Sequence, residues 1–186
     1  MAVTKFVSIA ALLVCFSSLQ AAETLELNAE TSKIEFVGKK SDGKHTGGFK
    51  KFTTKAVADF EKPENGKLDI EIEADSLWSD DEKLTNHLKN PDFFDVRKHE
   101  KITFKSTGVS VGEDDTDGKG NAKIKGELTL LGKTAEIEVP CKVAINEKTI
   151  EVAATFVIDR TRWGMTYGEG KISNDVDVTA LLIFNR

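Results

Sequence analysis

The sequence predicts an all-β protein of about eight consecutive antiparallel strands with one short helix, either an up-and-down barrel or a sandwich. Three observations carry this expectation. From Lys33 onward apolar and polar residues alternate, which is the two-residue period of a strand with one wet face. Turn clusters such as PENGK, GEDDTDGKGN and NEK separate the alternating runs, and their hairpin lengths favour the barrel. No glycine-rich strand-to-helix unit intervenes, so nothing in the chain calls for a parallel crossover.

Taken in order, residues 33–36 point Ile34 and Phe36 inward, and a second strand falls within 45–60. Residues 67–75 set Leu68, Ile70, Ile72 and Ala74 against Lys67, Asp69, Glu71, Glu73 and Asp75. One segment breaks the period. Ser79 and Glu82 read as a capping box, Leu84 and Leu88 share a face, and Pro91 ends the run, which predicts a helix over 80–89. Strand periodicity then returns. Residues 101–106 turn Ile102 and Phe104 inward, stretches near 120–131 and 135–146 follow, and 149–158 aligns Ile150, Val152, Ala154, Phe156 and Ile158. The last strand, 175–184, aligns Val176, Val178, Ala180, Leu182 and Phe184.

Composition removes several function classes. A chain of 186 residues with 39% hydrophobic and 31% charged residues fits one globular domain rather than a disordered or multi-span chain. Its formal charge of −5 leaves no electrostatic footprint for nucleic acid. Residues 1–21 read as a secretory signal peptide, with Lys5, an apolar run from Phe6 to Phe16, and small residues ending at Ala21 and Ala22. That run spans about 16 Å as a helix against ~30 Å of hydrocarbon, so stable membrane insertion is not expected. Residues 22–186 then form the domain, in the periplasm or beyond the cell. Cys15 leaves with the signal, and Cys141 stays as a lone inward thiol in phase with Ile137, Val139, Val143 and Ile145.

No catalytic or metal constellation is visible. His45, His87 and His99 stand in unrelated contexts without ligand spacing, and no nucleophile elbow or phosphate loop occurs. Neither a metal nor a cofactor is expected. The inward phase of the strands instead outlines an apolar bore lined by Phe36, Ile70, Ile72, Phe104, Leu128, Val152, Phe156, Val178 and Leu182. Small residues at Ala74, Ala154 and Ala180 leave it narrow, or else interdigitate in a solid core. The helix face of Leu84 and Leu88, with Phe93 and Phe94 after it, belongs at the mouth. Residues 158–168 place Arg160, Arg162, Trp163 and Tyr167 round a strand end, with Arg160 expected against Trp163 as a structural corner. Either arginine is the alternative contact for an anionic ligand head.

Three segments carry a resemblance. KLTNHLKNPDFFDVRKHEKITFKST (83–107), GELTLLGKTAEIEVPCKV (126–143) and FVIDRTRWGMTYG (156–168), in this order and spacing, resemble the YceI family. The similarity runs from about Leu25 to Phe184, and it includes His87-Leu88, Asp92 to Asp95, Leu128 to Leu130 with Gly132, and Asp159-Arg160 with Trp163-Gly164. Leu84-Thr85 departs from the Arg-Asp that many relatives carry before the His-Leu pair. The resemblance implies an eight-stranded antiparallel lipocalin-like barrel, usually periplasmic, that binds polyisoprenoid or related long-chain lipids in an elongated bore.

The expected function is therefore an exported protein that sequesters or carries a long-chain isoprenoid or fatty lipid, as monomer or homodimer. An enzyme acting on an isoprenoid or quinone-like ligand and a solid-cored interaction module are the alternatives. N-terminal sequencing of the protein from its own host is expected to start at Ala22 or Glu23. An intact Met1 in a cytoplasmic fraction contradicts export.

Overall fold

The computed structural model describes residues 22–112 and 121–186. The predicted signal peptide, with Cys15, and nearly all of the predicted turn 112–121 lie outside the described residues. The described strands are β1 (Glu23–Leu27), β2 (Lys33–Lys40), β3 (Gly43–Phe49), β4 (Phe52–Ala58), β5 (Lys67–Glu73), β6 (Leu77–Ser79), β7 (Lys101–Val111), β8 (Ala122–Leu130), β9 (Lys133–Ile145), β10 (Thr149–Asp159) and β11 (Ile172–Asn185). One α-helix, α1 (Glu82–Leu88), lies among them.

These segments build the predicted eight-stranded closed antiparallel barrel, because three of its long strands are each broken once. β1 and β2 form one strand interrupted at residues 28–32, and both pair with β11. The break stays tied to the ladder: Asn28 N–H donates to Ile183 O (2.8 Å) and Ile183 N–H to Ser32 Oγ (2.9 Å). β3 and β4 form the next strand, and β5 and β6 the third. Here Ser76 repairs the ladder, its carbonyl accepting from Lys50 N–H (3.2 Å) and its hydroxyl from Lys51 N–H (3.1 Å). Buried backbone groups at a strand break need such partners.

Pairing of β9 with β10 stops at Cys141↔Ala154. Pro140 precedes that rung and has no N–H to give the ladder. Beyond it, residues 133–140 of β9 pair with β8 alone, and 155–159 of β10 with β11 alone.

The structure corrects several sequence readings. The helix is shorter than 80–89, and its cap is Asp81, whose carboxylate accepts from Leu84 N–H (2.8 Å). Ser79 instead ends β6, its N–H donating to Thr85 Oγ1 (2.8 Å). A nearer carboxylate at the first turn outcompetes the hydroxyl. β7 runs past residue 106 because a bulge between Ser106 and Gly108 shifts its period. Ala74 is buried in a 3-10 turn between β5 and β6, with its N–H donating to Glu100 O (2.8 Å), and takes no part in the wall of the bore. Ile145 is 57% exposed at the last rung before the 146–149 turn.

The end of the barrel that holds the chain terminus is solid. Leu25, Ala56, Ile150 and Phe184 are all buried there and none faces the interior cavity.

Candidate functional site: an apolar bore

Inward side chains from successive rungs enclose a cavity of about 330 Å³, within the size range of small-molecule sites. Leu68, beside the solid-end residue Ala56, is the deepest lining residue of β5, and above it come the layer of Ile70, Phe104 and Leu128 across β5, β7 and β8 and then Ile72 beside Ile102. Opposite them Cys141, Ala154 and Ala180 occupy one rung of β9, β10 and β11. The small side chains leave the lumen open on that side. Val152 and Leu182 pair below that rung, and Phe156, Val178 and Phe36 above it. All nine of the strand residues expected on the wall therefore line the cavity, as do Ala154 and Ala180 but not Ala74. Ile34, Phe49, Ile124, Met165 and Ile172 line it too. Phe49 shares the alternation of its strand, whereas Met165 and Ile172 reach the wall from a loop and past a bulge, where no period marks them.

At the open end α1 brings Leu84 and Leu88 to the cavity, with Phe93 and Phe94 behind it. Phe94 N–H donates to Leu88 O (3.0 Å), and Asp95 turns the chain with φ of 42°. This places the Phe94 ring edge-on to Phe49 (centroids 5.7 Å) and against Phe36 (6.1 Å). Phe93 lines the cavity as well and packs on His87 (5.1 Å) and Tyr167 (5.2 Å), with His87 Nε2 at 3.1 Å from Asp92 Oδ2.

The rim carries basic groups that the sequence reading passed over, Lys39, Lys40 and His45. Each has a carboxylate: Lys39 meets Asp177 (2.6 Å), Lys40 meets Asp42 (3.5 Å), and His45 Nδ1 meets Asp80 (2.9 Å). Thr46 N–H and then His45 hold the Asp80 carboxyl below its ordinary range. Each basic group of the rim is thus held by a carboxylate.

Arg160 is 3% exposed and reaches the cavity edge. Its guanidinium donates to Met165 O (2.6 Å), Ser173 O (2.9 Å) and Ile172 O (3.3 Å), and burial pulls its pKa down. Asp159 does not pair with it, and caps the 3-10 turn Arg160–Trp163 by accepting from Thr161 Oγ1 (2.6 Å) and Thr161 N–H (2.9 Å). The expected stack is also reassigned: Arg162, not Arg160, lies over Trp163, at 5.2 Å. Arg162 stays outside the bore and donates to Glu136 O (2.8 Å). Trp163 is fully buried behind the wall, its indole N–H donating to Leu128 O (2.9 Å), so it supports the bore without lining it.

Cys141 faces the lumen as a free thiol, and burial pushes its pKa up to about 11. At neutral pH it is a small apolar wall group. Among the described residues no three His, Cys, Asp or Glu side chains come together as a metal site, and no helix is long and apolar enough to cross a membrane.

A closed antiparallel barrel with one solid end and an apolar lumen guarded by a helix and aromatic rings defines the class. Residues 25–184 match the YceI-like domain, and the chain belongs to the YceI-like family. A UPF0312 protein of Pseudomonas fluorescens is 30% identical over 139 residues, covering 72% of this chain and 70% of that one. A second UPF0312 protein, from Pseudomonas putida, is 34% identical over 91 residues, and the match spans 49% of this chain and 45% of the relative. The chain thus aligns with under half of that relative's length. In fold it is similar to Burkholderia cenocepacia BcnA, with TM-score 0.76 at 24% identity, covering 85% of this chain and 99% of BcnA. It is also similar to a polyisoprenoid-binding domain from Saccharophagus degradans, with TM-score 0.63 at 15% identity, covering 87% and 97%.

Arg160→Gln removes guanidinium donors from the buried carbonyl of Met165 and the part-buried carbonyls of Ile172 and Ser173. A loss of about 2 to 4 kcal/mol in unfolding free energy is expected, measured by urea denaturation. Unchanged stability contradicts the structural assignment.

Proposed function

We propose that this protein binds a long-chain isoprenoid or related lipid, holding the chain in the bore and the polar head at the rim. The observation that carries the reading is the bore itself: a continuous apolar lumen with one solid end and one end ringed by Lys39, Lys40 and His45. A chain that buries ten methylene groups gains about 8 kcal/mol at ~0.8 kcal/mol each, before the costs of association. Two further points support the class of ligand. The chain is a YceI-like domain whose fold is similar to that of a polyisoprenoid-binding domain, and the rim's paired charges suit a polar head more than a bare polyanion. The lining of the bore is almost wholly apolar, so binding rather than turnover is the role we assign. Export to the periplasm or beyond, and sequestration or carriage of the lipid there, follow from the reading of residues 1–21.

Native mass spectrometry of protein purified from its own host, followed by organic extraction, tests the proposal. A stoichiometric lipid is expected to leave on extraction and to rebind when added as a purified polyprenol. Protein that carries no lipid and does not take up polyprenol overturns the reading. Phe94→Ala, which opens the aromatic contact over Phe36 and Phe49, is expected to speed polyprenol exchange several-fold. A large drop in thermal stability with unchanged exchange would place that ring in the core instead.

A further inference from the structure

Two positions without side chains shape the lumen. Gly47 on β3 faces inward opposite Phe36, and Gly126 on β8 faces inward one diagonal from Phe104, whose direct partner is Leu128. Rings reach such diagonal neighbours in a sheet. A Cβ placed on Gly47 would stand 2.5 Å from Phe36 Cζ and 2.9 Å from its Cε2, with the Trp78 carbonyl oxygen of the neighbouring strand also at 2.7 Å. One on Gly126 would stand 2.6 Å from Phe104 Cε2 and still nearer its Cζ. Atoms do not approach so closely, so each ring already occupies the space a side chain on that strand would fill. The rings are seated in notches in the wall. Glycine alone does not create this: a Cβ on Gly38, which also lines the bore, would have nothing within 4 Å.

We infer that Gly47 and Gly126 are specificity-determining positions of the bore. By seating the Phe36 and Phe104 rings against the wall, they keep a lumen wide enough for a methyl-branched chain. The inference rests on the lipid-binding reading above and deepens it. Carbon atoms in contact lie about 3.5 to 4.0 Å apart. A ring lifted from its notch therefore takes from the lumen about the width that one methyl branch needs. A straight alkyl chain, which carries no branch at that level, tolerates the loss better. The two notches act at different depths, since Phe36 packs with Phe49 and Phe94 near the mouth, and Phe104 lies deeper beside Ile70 and Leu128.

The experiment compares geranylgeraniol with the straight-chain alcohol of equal carbon number, by competition on the whole protein. One misplaced methyl in an apolar pocket changes affinity by roughly tenfold or more. Gly126→Ala is expected to lower the preference for the branched alcohol by about that factor, and adding Phe104→Leu to it to restore the preference. Equal loss of both alcohols, or no restoration by Phe104→Leu, overturns the inference. Because a methyl on Gly126 would also meet Lys105 O at 2.6 Å, a second variant leaves that backbone untouched. Phe104→Trp carries a ring the notch does not hold and should cause the same selective loss. An unchanged ratio overturns the inference. A wild-type protein that binds neither alcohol removes the lipid-binding reading, and the role of the glycines with it.

Discussion

β11 pairs along one edge with β10 from Asp175 to Asn185, and along the other with β2 and then β1. That double pairing closes the sheet. In a closed sheet alternate side chains are committed to the interior, and a slip of one residue in any strand would turn an apolar set toward water. The break at residues 28–32 falls beside β11, and this explains why a buried serine sits there. The Ser32 hydroxyl stands in for the missing backbone acceptor of Ile183, so the ladder bends without opening. Ser76 does the same work on the other side of the barrel. Bends let the strands curl over the solid end, where Phe184 and Ile150 fill the space.

The opposite end is built from different materials. Its loops are fastened by backbone carbonyls that accept from the buried Arg160, and by the indole of Trp163 donating to Leu128 O. Both side chains reach from one short 3-10 turn, which bridges the region where Pro140 ends the β9–β10 ladder. A guanidinium satisfied by carbonyls is held firmly but has little capacity left for an anion. Any charged contact with a ligand head therefore falls to the outer rim, where Lys39, Lys40 and His45 share themselves with carboxylates.

Much of this was legible in the sequence because a strand's period is local. The alternation through Leu68, Ile70 and Ile72, or through Val152, Ala154 and Phe156, needs no knowledge of partners, and it placed nine wall residues. What escaped is non-local. The stack of Arg162 rather than Arg160 on Trp163 depends on how a turn folds back. Ala74 kept the strand's phase, yet the chain left the strand at that residue to form a turn. The rings seated over Gly47 and Gly126 depend on the pairing register of neighbouring strands, and a glycine read alone signals only a bulge or a close approach. His45 shows the same limit: its phase with Gly47 and Phe49 was present, but only the barrel's closure puts it on the rim.

An open lumen sets an energetic condition that the rest of the fold must meet. Closed, dry cavities in protein interiors destabilise by about 24 cal/mol per Å³, which for a lumen of about 330 Å³ open at one end sets an upper bound of about 8 kcal/mol. That is comparable to the whole stability of an ordinary domain, about 5 to 15 kcal/mol. A barrel whose wall could relax would collapse and recover much of it. Here the wall does not relax easily, because the sheet closes on itself through β11 and two rings are wedged where no Cβ stands. The same 8 kcal/mol is close to what ten buried methylene groups return. Ligand and fold are thus coupled through one quantity: the rigidity that holds the lumen open in the free protein is what lets an apolar chain gain its full burial on entering.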